Sequence, residues 1–256
     1  MEKKGKRNYV LIVSAVLVTL FVLFGAFFPN TLGTVAGALF SGITKNFGWM
    51  YLITVFGMVL FAVFLAVSPM GRLKLGKPED KPEFSNFQWF TMLFGGSMGI
   101  GLVFYSVAEP LMDYASPPMA EPETTAAMYE SMQTVFFHWG FHPWGIFAIG
   151  GLALGYFSFK KDRPFLVSSA FEPLIGDRVN GPIGKAIDIL AIFATIFGVA
   201  TSLGLGASQI VGGLNYIYGV ETGTTLTCVI IGIITIAFYF GYHFRASKRN
   251  PVSYGY

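Results

Sequence analysis

Residues 48–69 read GWMYLITVFGMVLFAVFLAVSP, a run without a single charged side chain. A helix of that length rises roughly 33 Å, enough to cross the ~30 Å hydrocarbon core of a bilayer. Working outward from it, comparable apolar stretches lie near 10–28, 87–112, 132–157, 186–217 and 223–242. The sequence therefore predicts an all-α, polytopic membrane protein with six transmembrane helices. The first stretch follows the basic tail Met1–Arg7 directly. It is too long for a signal-peptide core and no small-x-small cleavage site follows it, so it reads as an uncleaved span.

Composition excludes the soluble alternatives. Of 256 residues 54% are hydrophobic and 12% charged, about half the charged fraction of an ordinary soluble domain. The 27 Phe lie largely in charge-free runs that no soluble core of this length would bury. No nucleophile stands with a base and an orienting group, and no phosphate-binding loop is present, so an enzyme is not expected. Cys228, the single cysteine, allows neither an intrachain disulfide nor a metal cluster and reads as a packing residue. No resident cofactor is expected.

A formal charge of +3 invites nucleic acid as a partner, but the distribution of the 17 Lys and Arg argues against it. Four stand in the N-terminal tail, four in the 70–86 loop, five in the 158–185 loop and three in the C-terminal tail, while the alternate loops hold only Lys45. Basic residues collect on the cytoplasmic side of a membrane, so both termini are expected inside. The opposite loop, from Asp113 to Glu130, carries Glu121, Glu123 and a Pro117-Pro118 pair but no base. No loop is long enough for a separate domain.

Three groups of residues sit at unusual depth. Gly95, Gly96, Gly99 and Gly101 weaken the third span, each costing roughly 0.8–1 kcal/mol against Ala, at about 12–21 Å from its inner edge by helical rise. They fit either close helix packing or an unwound point that meets an ion or substrate. In the fourth span Trp139 and Trp144 lie roughly 10 and 18 Å in, too deep for an interfacial aromatic belt. On a continuous helix Phe147 and Trp144 fall about 80° and 140° from Trp139, so three rings share one arc. Such a stripe serves as packing or lipid-facing surface, or as ring faces for a cation without N–H donors. His138 and His142 are expected on the other flank as packing or hydrogen-bonding residues. In the fifth span Asp188, Thr195, Val199 and Ser202 share a face, with Thr201 beside it. Thr and Ser at such places commonly bond their own i−4 carbonyl. Convergence of the three groups at one depth favours a site over packing.

Ser97-Met98-Gly99-Ile100-Gly101-Leu102 with Ala108-Glu109-Pro110-Leu111 resembles the third helix of the betaine/carnitine/choline transporter family. His138-Trp139 with His142-Pro143-Trp144 resembles its tryptophan signature, and Ala194 to Gly198 with Ser202 to Gly206 its fifth helix. The resemblance covers residues 10–238 and implies a twelve-helix secondary transporter with two inverted five-helix repeats, handling glycine betaine, choline or carnitine in the plasma membrane. It places Trp139, Trp144 and Phe147 in the substrate cage, with Met98, Gly99 and Gly101 as the flexible stretch beside it. Thr195, Ser97 and Ser202 become candidates for the coupling ion, sodium or a proton, and the only metal expected is sodium. Phe147 stands where the family commonly has Tyr, and Ser97 where it has the motif's first glycine. Val199 stands where sodium-coupled members carry a second Thr.

On this reading residues 1–242 form the transmembrane domain: peripheral helices 10–28 and 48–69, then an incomplete first repeat over 87–242. Residues 243–256, unlike the family's continuation, form a cytoplasmic tail, and the chain reads as a truncated N-terminal half. The partners expected are a small quaternary-ammonium molecule and the bilayer, with homo-oligomers implied by the family alone. The rival reading is a non-transporting membrane module or helix-packing scaffold, with a channel third.

Overall fold

The computed structural model describes residues 4–248. They are largely helical, with no strand among the described residues. In chain order the helices are α1 (Lys4–Phe27), α2 (Pro29–Val67), α3 (Asn86–Ser97), α4 (Ile100–Ala115), α5 (Thr125–Trp139), α6 (Phe141–Gly155), the single turn α7 (Glu172–Ile175), α8 (Pro182–Tyr218) and α9 (Thr224–Lys248). The chain divides into two units, residues 1–85 with 109–196 and residues 86–108 with 197–256.

Among the described residues four helical stretches are long and apolar enough to cross a membrane: Tyr9–Phe27, Pro29–Val67, Pro182–Tyr218 and Thr224–Gly241. The pair α3 and α4 adds a fifth if counted as one span bent by 49°. The expected fourth span, residues 132–157, is divided at Gly140 into two helices of 15 residues, each only about 22 Å long. The second span also begins earlier than expected. Pro29 takes the first helical turn, where its missing N–H costs nothing. Downstream polar side chains then bond back to their own helix: Thr34 Oγ1 donates to Asn30 O at 2.9 Å, Thr44 Oγ1 to Phe40 O at 2.8 Å and Asn46 Nδ2 to Gly42 O at 2.7 Å. The tail expected from residue 243 is helical as far as Lys248, and residues 249–256 lie outside the described ones.

In the first unit α2 and α6 approach to backbone distance. A Cβ on Gly145 would stand 2.7 Å from Val59 Cγ2 and 3.4 Å from Val59 Cα, the small-residue packing that holds helices where no hydrophobic drive exists between them. Phe21 of α1 meets Phe193 of α8 edge to face at 5.6 Å. The 158–185 loop is anchored to α8 through Asp188, a buried carboxylate that accepts Ser168 N at 3.0 Å and Ser168 Oγ at 2.8 Å. At the opposite loop the Glu130 carboxylate accepts Met119 N at 2.9 Å and Ala120 N at 2.7 Å, and Thr124 caps α5 through Ala127 N.

The second unit is built on the α8–α9 hairpin, where Ala207, Val211 and Ile230 are buried with Leu214 and Leu226 against them. Gly219 ends α8 in the left-handed region (φ 67°), which glycine enters without a Cβ penalty, and Asn215 Nδ2 donates to Val220 O at 2.9 Å across the turn. Elsewhere most large apolar side chains of the protein are exposed, as expected where lipid is the solvent.

Candidate functional site

The break at Gly140 arises from two residues. In an uninterrupted helix the N–H of residue 143 would donate to Trp139 O, and Pro143 has none. Gly140 turns the backbone (φ −86°, ψ −137°) in a geometry where a Cβ would lie 2.3 Å from Phe136 O. The carbonyl that Pro143 leaves without its helical donor is taken by the Trp144 indole, Nε1 to Trp139 O at 3.1 Å. Trp144 and Phe147, one turn apart on α6, bring their rings to 5.8 Å at 41°.

Trp139, the last residue of α5, donates Nε1 to Glu109 Oε2 at 2.5 Å. His138 Nδ1 meets Glu109 Oε1, the other oxygen of that carboxylate. The two neighbours thus share one partner rather than dividing between flanks as the sequence suggested, and the helix break means that the arc counted from Trp139 does not extend to Trp144. His142 instead lies against Phe137, ring centroids 4.3 Å apart. Glu109 was not singled out as a site residue from sequence. The signal was an acid inside an otherwise apolar span, near its outer end, which needs a named partner.

Among the remaining candidates, Met98 and Gly99 form the break between α3 and α4 in the second unit, and Gly101 opens α4. The side chain of Ser97 lies outside the described ones. Thr195, in the first unit, donates Oγ1 to Ala191 O at 2.8 Å, the local i−4 bond expected of a helical threonine, and its oxygen retains lone pairs. Ser202 lines an open groove of about 440 Å³ in the second unit with Ile100, Val199, Gly206, Ile234 and Phe238. Among the lining residues Ser202 is the sole hydroxyl, one oxygen toward the six or so that a hard cation takes. Among the described residues no cluster of three His, Cys, Asp or Glu is placed to bind a metal.

A helical membrane protein with spans interrupted at glycines, and with rings and a carboxylate gathered at one interruption, has the features of the secondary-transporter class. The family described as "BCCT, betaine/carnitine/choline family transporter" matches residues 9–243. The chain belongs to the betaine/carnitine/choline transporter family. It is 58% identical over 233 residues to a probable glycine betaine transporter of Desulfitobacterium hafniense (strain Y51), covering 91% of this chain and 47% of that protein. It is 51% identical to the glycine betaine transporter OpuD of Bacillus subtilis (strain 168), with 85% and 43% covered. It is 42% identical to the ectoine/hydroxyectoine transporter of Virgibacillus pantothenticus, with 93% and 48% covered. The chain thus spans about half the length of these curated relatives, which are transporters rather than enzymes.

Proposed function

We propose that this chain forms the N-terminal part of a secondary transporter for quaternary-ammonium osmolytes, glycine betaine first among them, in the plasma membrane with both termini cytoplasmic. The observation that carries the reading is the ring group at the Gly140 break. Both indole N–H groups are already engaged, Trp139 by Glu109 and Trp144 by Trp139 O, so what these side chains offer a ligand is their π faces. A trimethylammonium group carries charge and no N–H, and aromatic faces, Trp best of all, are its attractive surface.

In this proposal Trp139, Trp144 and Phe147 bind the ammonium group, and the interrupted stretch Met98, Gly99 and Gly101 supplies flexibility. Residues 87–242 act as the first repeat, with 10–28 and 48–69 peripheral to it. Thr195, Ser97 and Ser202 are the candidates for the coupling ion, sodium or a proton. Thr195 and Ser202 each bring one hydroxyl oxygen, while Val199 brings none.

The test uses a carrier of the relatives' full length that carries residues 9–243 of this chain. Loss of one desolvated ring contact is worth about 2 kcal/mol, so Trp144→Leu should raise the apparent Kd for glycine betaine roughly 30-fold. Phe141→Leu, at a ring 80% exposed at the start of α6, should change it little. Equal affinity in the two variants would remove the cage. Ectoine belongs in the same ligand panel because one relative is named for it; tighter binding of ectoine than of betaine would move the substrate class.

A further inference from the structure

Glu109 is a carboxylate within the third expected span whose side chain is only 14% exposed. A carboxylate so enclosed takes partners, and it finds both on adjacent residues at one helix end. Oε1 meets His138 Nδ1, and Oε2 accepts Trp139 Nε1 at 2.5 Å. An anchor for α5 needs no aromatic partner, yet one of the two bonds ends on an indole N–H. That bond holds the ring by its edge, which fixes the ring's plane and leaves contact with a ligand to the faces. It also draws the N–H proton toward an anion and so pushes electron density into the ring, deepening the negative potential over the faces that attract a cation. Its influence extends one step further, because the Trp139 carbonyl in turn receives the Trp144 indole.

We propose that Glu109 is the positioning residue of the substrate cage, acting through the Trp139 N–H to set the orientation and strength of that ring. The inference rests on the cage reading above and adds to it a residue that does not itself touch the substrate.

The experiment measures equilibrium binding of radiolabelled glycine betaine to the same full-length carrier, with membrane levels checked by immunoblot. Glu109→Gln should raise the apparent Kd about tenfold, the worth of a charge-assisted hydrogen bond, and Glu109→Asp should retain part of the affinity. Replacing Trp139 with benzothienylalanine, which keeps the bicyclic ring but lacks the N–H, should give the same loss. In that background Glu109→Gln should add less than about twofold, since coupled residues are non-additive. A full further loss there would mean that Glu109 acts by another route, and native affinity for the benzothienylalanine carrier would mean that the N–H bond is irrelevant; either overturns the proposal. If Glu109→Gln fails to reach the membrane, the benzothienylalanine carrier, which keeps Glu109, decides alone. Weakening by Trp144→Leu with none by benzothienylalanine sinks the role of Glu109 and leaves the cage standing, whereas no weakening by Trp144→Leu removes the cage itself.

Discussion

The interruption at Gly140 and the one at Met98–Gly99 both divide a stretch expected to span the membrane, but they are held in different ways. At Gly140 there is no room: an added Cβ would lie 2.3 Å from Phe136 O, and the carbonyl and indole of Trp139 just before it are taken up by Trp144 and Glu109. At the second break there is space. A Cβ built on Gly95, Gly96 or Gly99 meets no atom within 4 Å, and ordinary helical bonds resume at once on either side, Met98 N to Phe94 O at 2.9 Å and Val103 N to Gly99 O at 3.3 Å. The first break is locked by sterics and side-chain bonds; the second exists because glycines make its helix weak. A locked break suits the task of holding rings in a fixed arrangement, and a weak one suits a segment that changes conformation.

The largest expected effect tests that contrast directly. Gly140→Ala forces a methyl against a backbone oxygen that has no flexible end to yield, and strain of this kind costs about 1–3 kcal/mol or more. The melting temperature of the detergent-solubilised carrier should fall by several degrees. Gly99→Ala should leave it nearly unchanged. Equal melting of the two variants would show that the breaks are held alike.

A second, smaller effect concerns the carbonyl exchange at the locked break. Trp144→Phe keeps a ring but leaves Trp139 O without its indole donor, a loss of about 0.5–1.5 kcal/mol for one net hydrogen bond. Adding Pro143→Ala supplies a backbone N–H at the position from which an α-helix would serve that carbonyl. The double variant should therefore melt above Trp144→Phe. If the added N–H recovers nothing, the indole's contribution lies in ring packing and not in the carbonyl.

How far the sequence carried the fold depends on whether a feature is local. The apolar runs near 10–28, 186–217 and 223–242 became helices because length and apolarity suffice to specify a span, and the glycines at 95–101 marked a break because their helix penalty is intrinsic. The early start of α2 was hidden, since Thr34, Thr44 and Asn46 look like loop residues until their side chains are seen bonding their own helix. The split at Gly140 was present in the Gly140 and Pro143 pair, but reading the rings at a constant helical angle passed over it. Glu109 was visible as a charge within an apolar span, while its partners, 29 and 30 residues away, are a tertiary fact that no local pattern contains.

The smallest effect on stability comes from α8, which differs from both interrupted helices in running unbroken from Pro182 to Tyr218. An intact helix keeps its carbonyls in its own hydrogen-bond ladder, so any ion ligand from this region must be a side-chain oxygen. Thr195 offers one, its proton already directed to Ala191 O, and Val199, one turn on, is 55% exposed and offers none. Val199→Thr is nearly isosteric. Its hydroxyl can donate to Thr195 O in the same i−4 fashion, so the second oxygen would stand one turn beyond the first with little change in melting. If sodium is the coupling ion, this oxygen should lower the sodium concentration for half-maximal uptake by roughly two- to tenfold, the worth of one net polar contact of about 0.5–1.5 kcal/mol. Uptake that is already steeply and cooperatively sodium-dependent with Val199 in place would show that the ion is held without this oxygen. Uptake driven by a pH gradient and indifferent to sodium in both variants would assign the coupling to protons and leave Thr195 bonded only to its own helix.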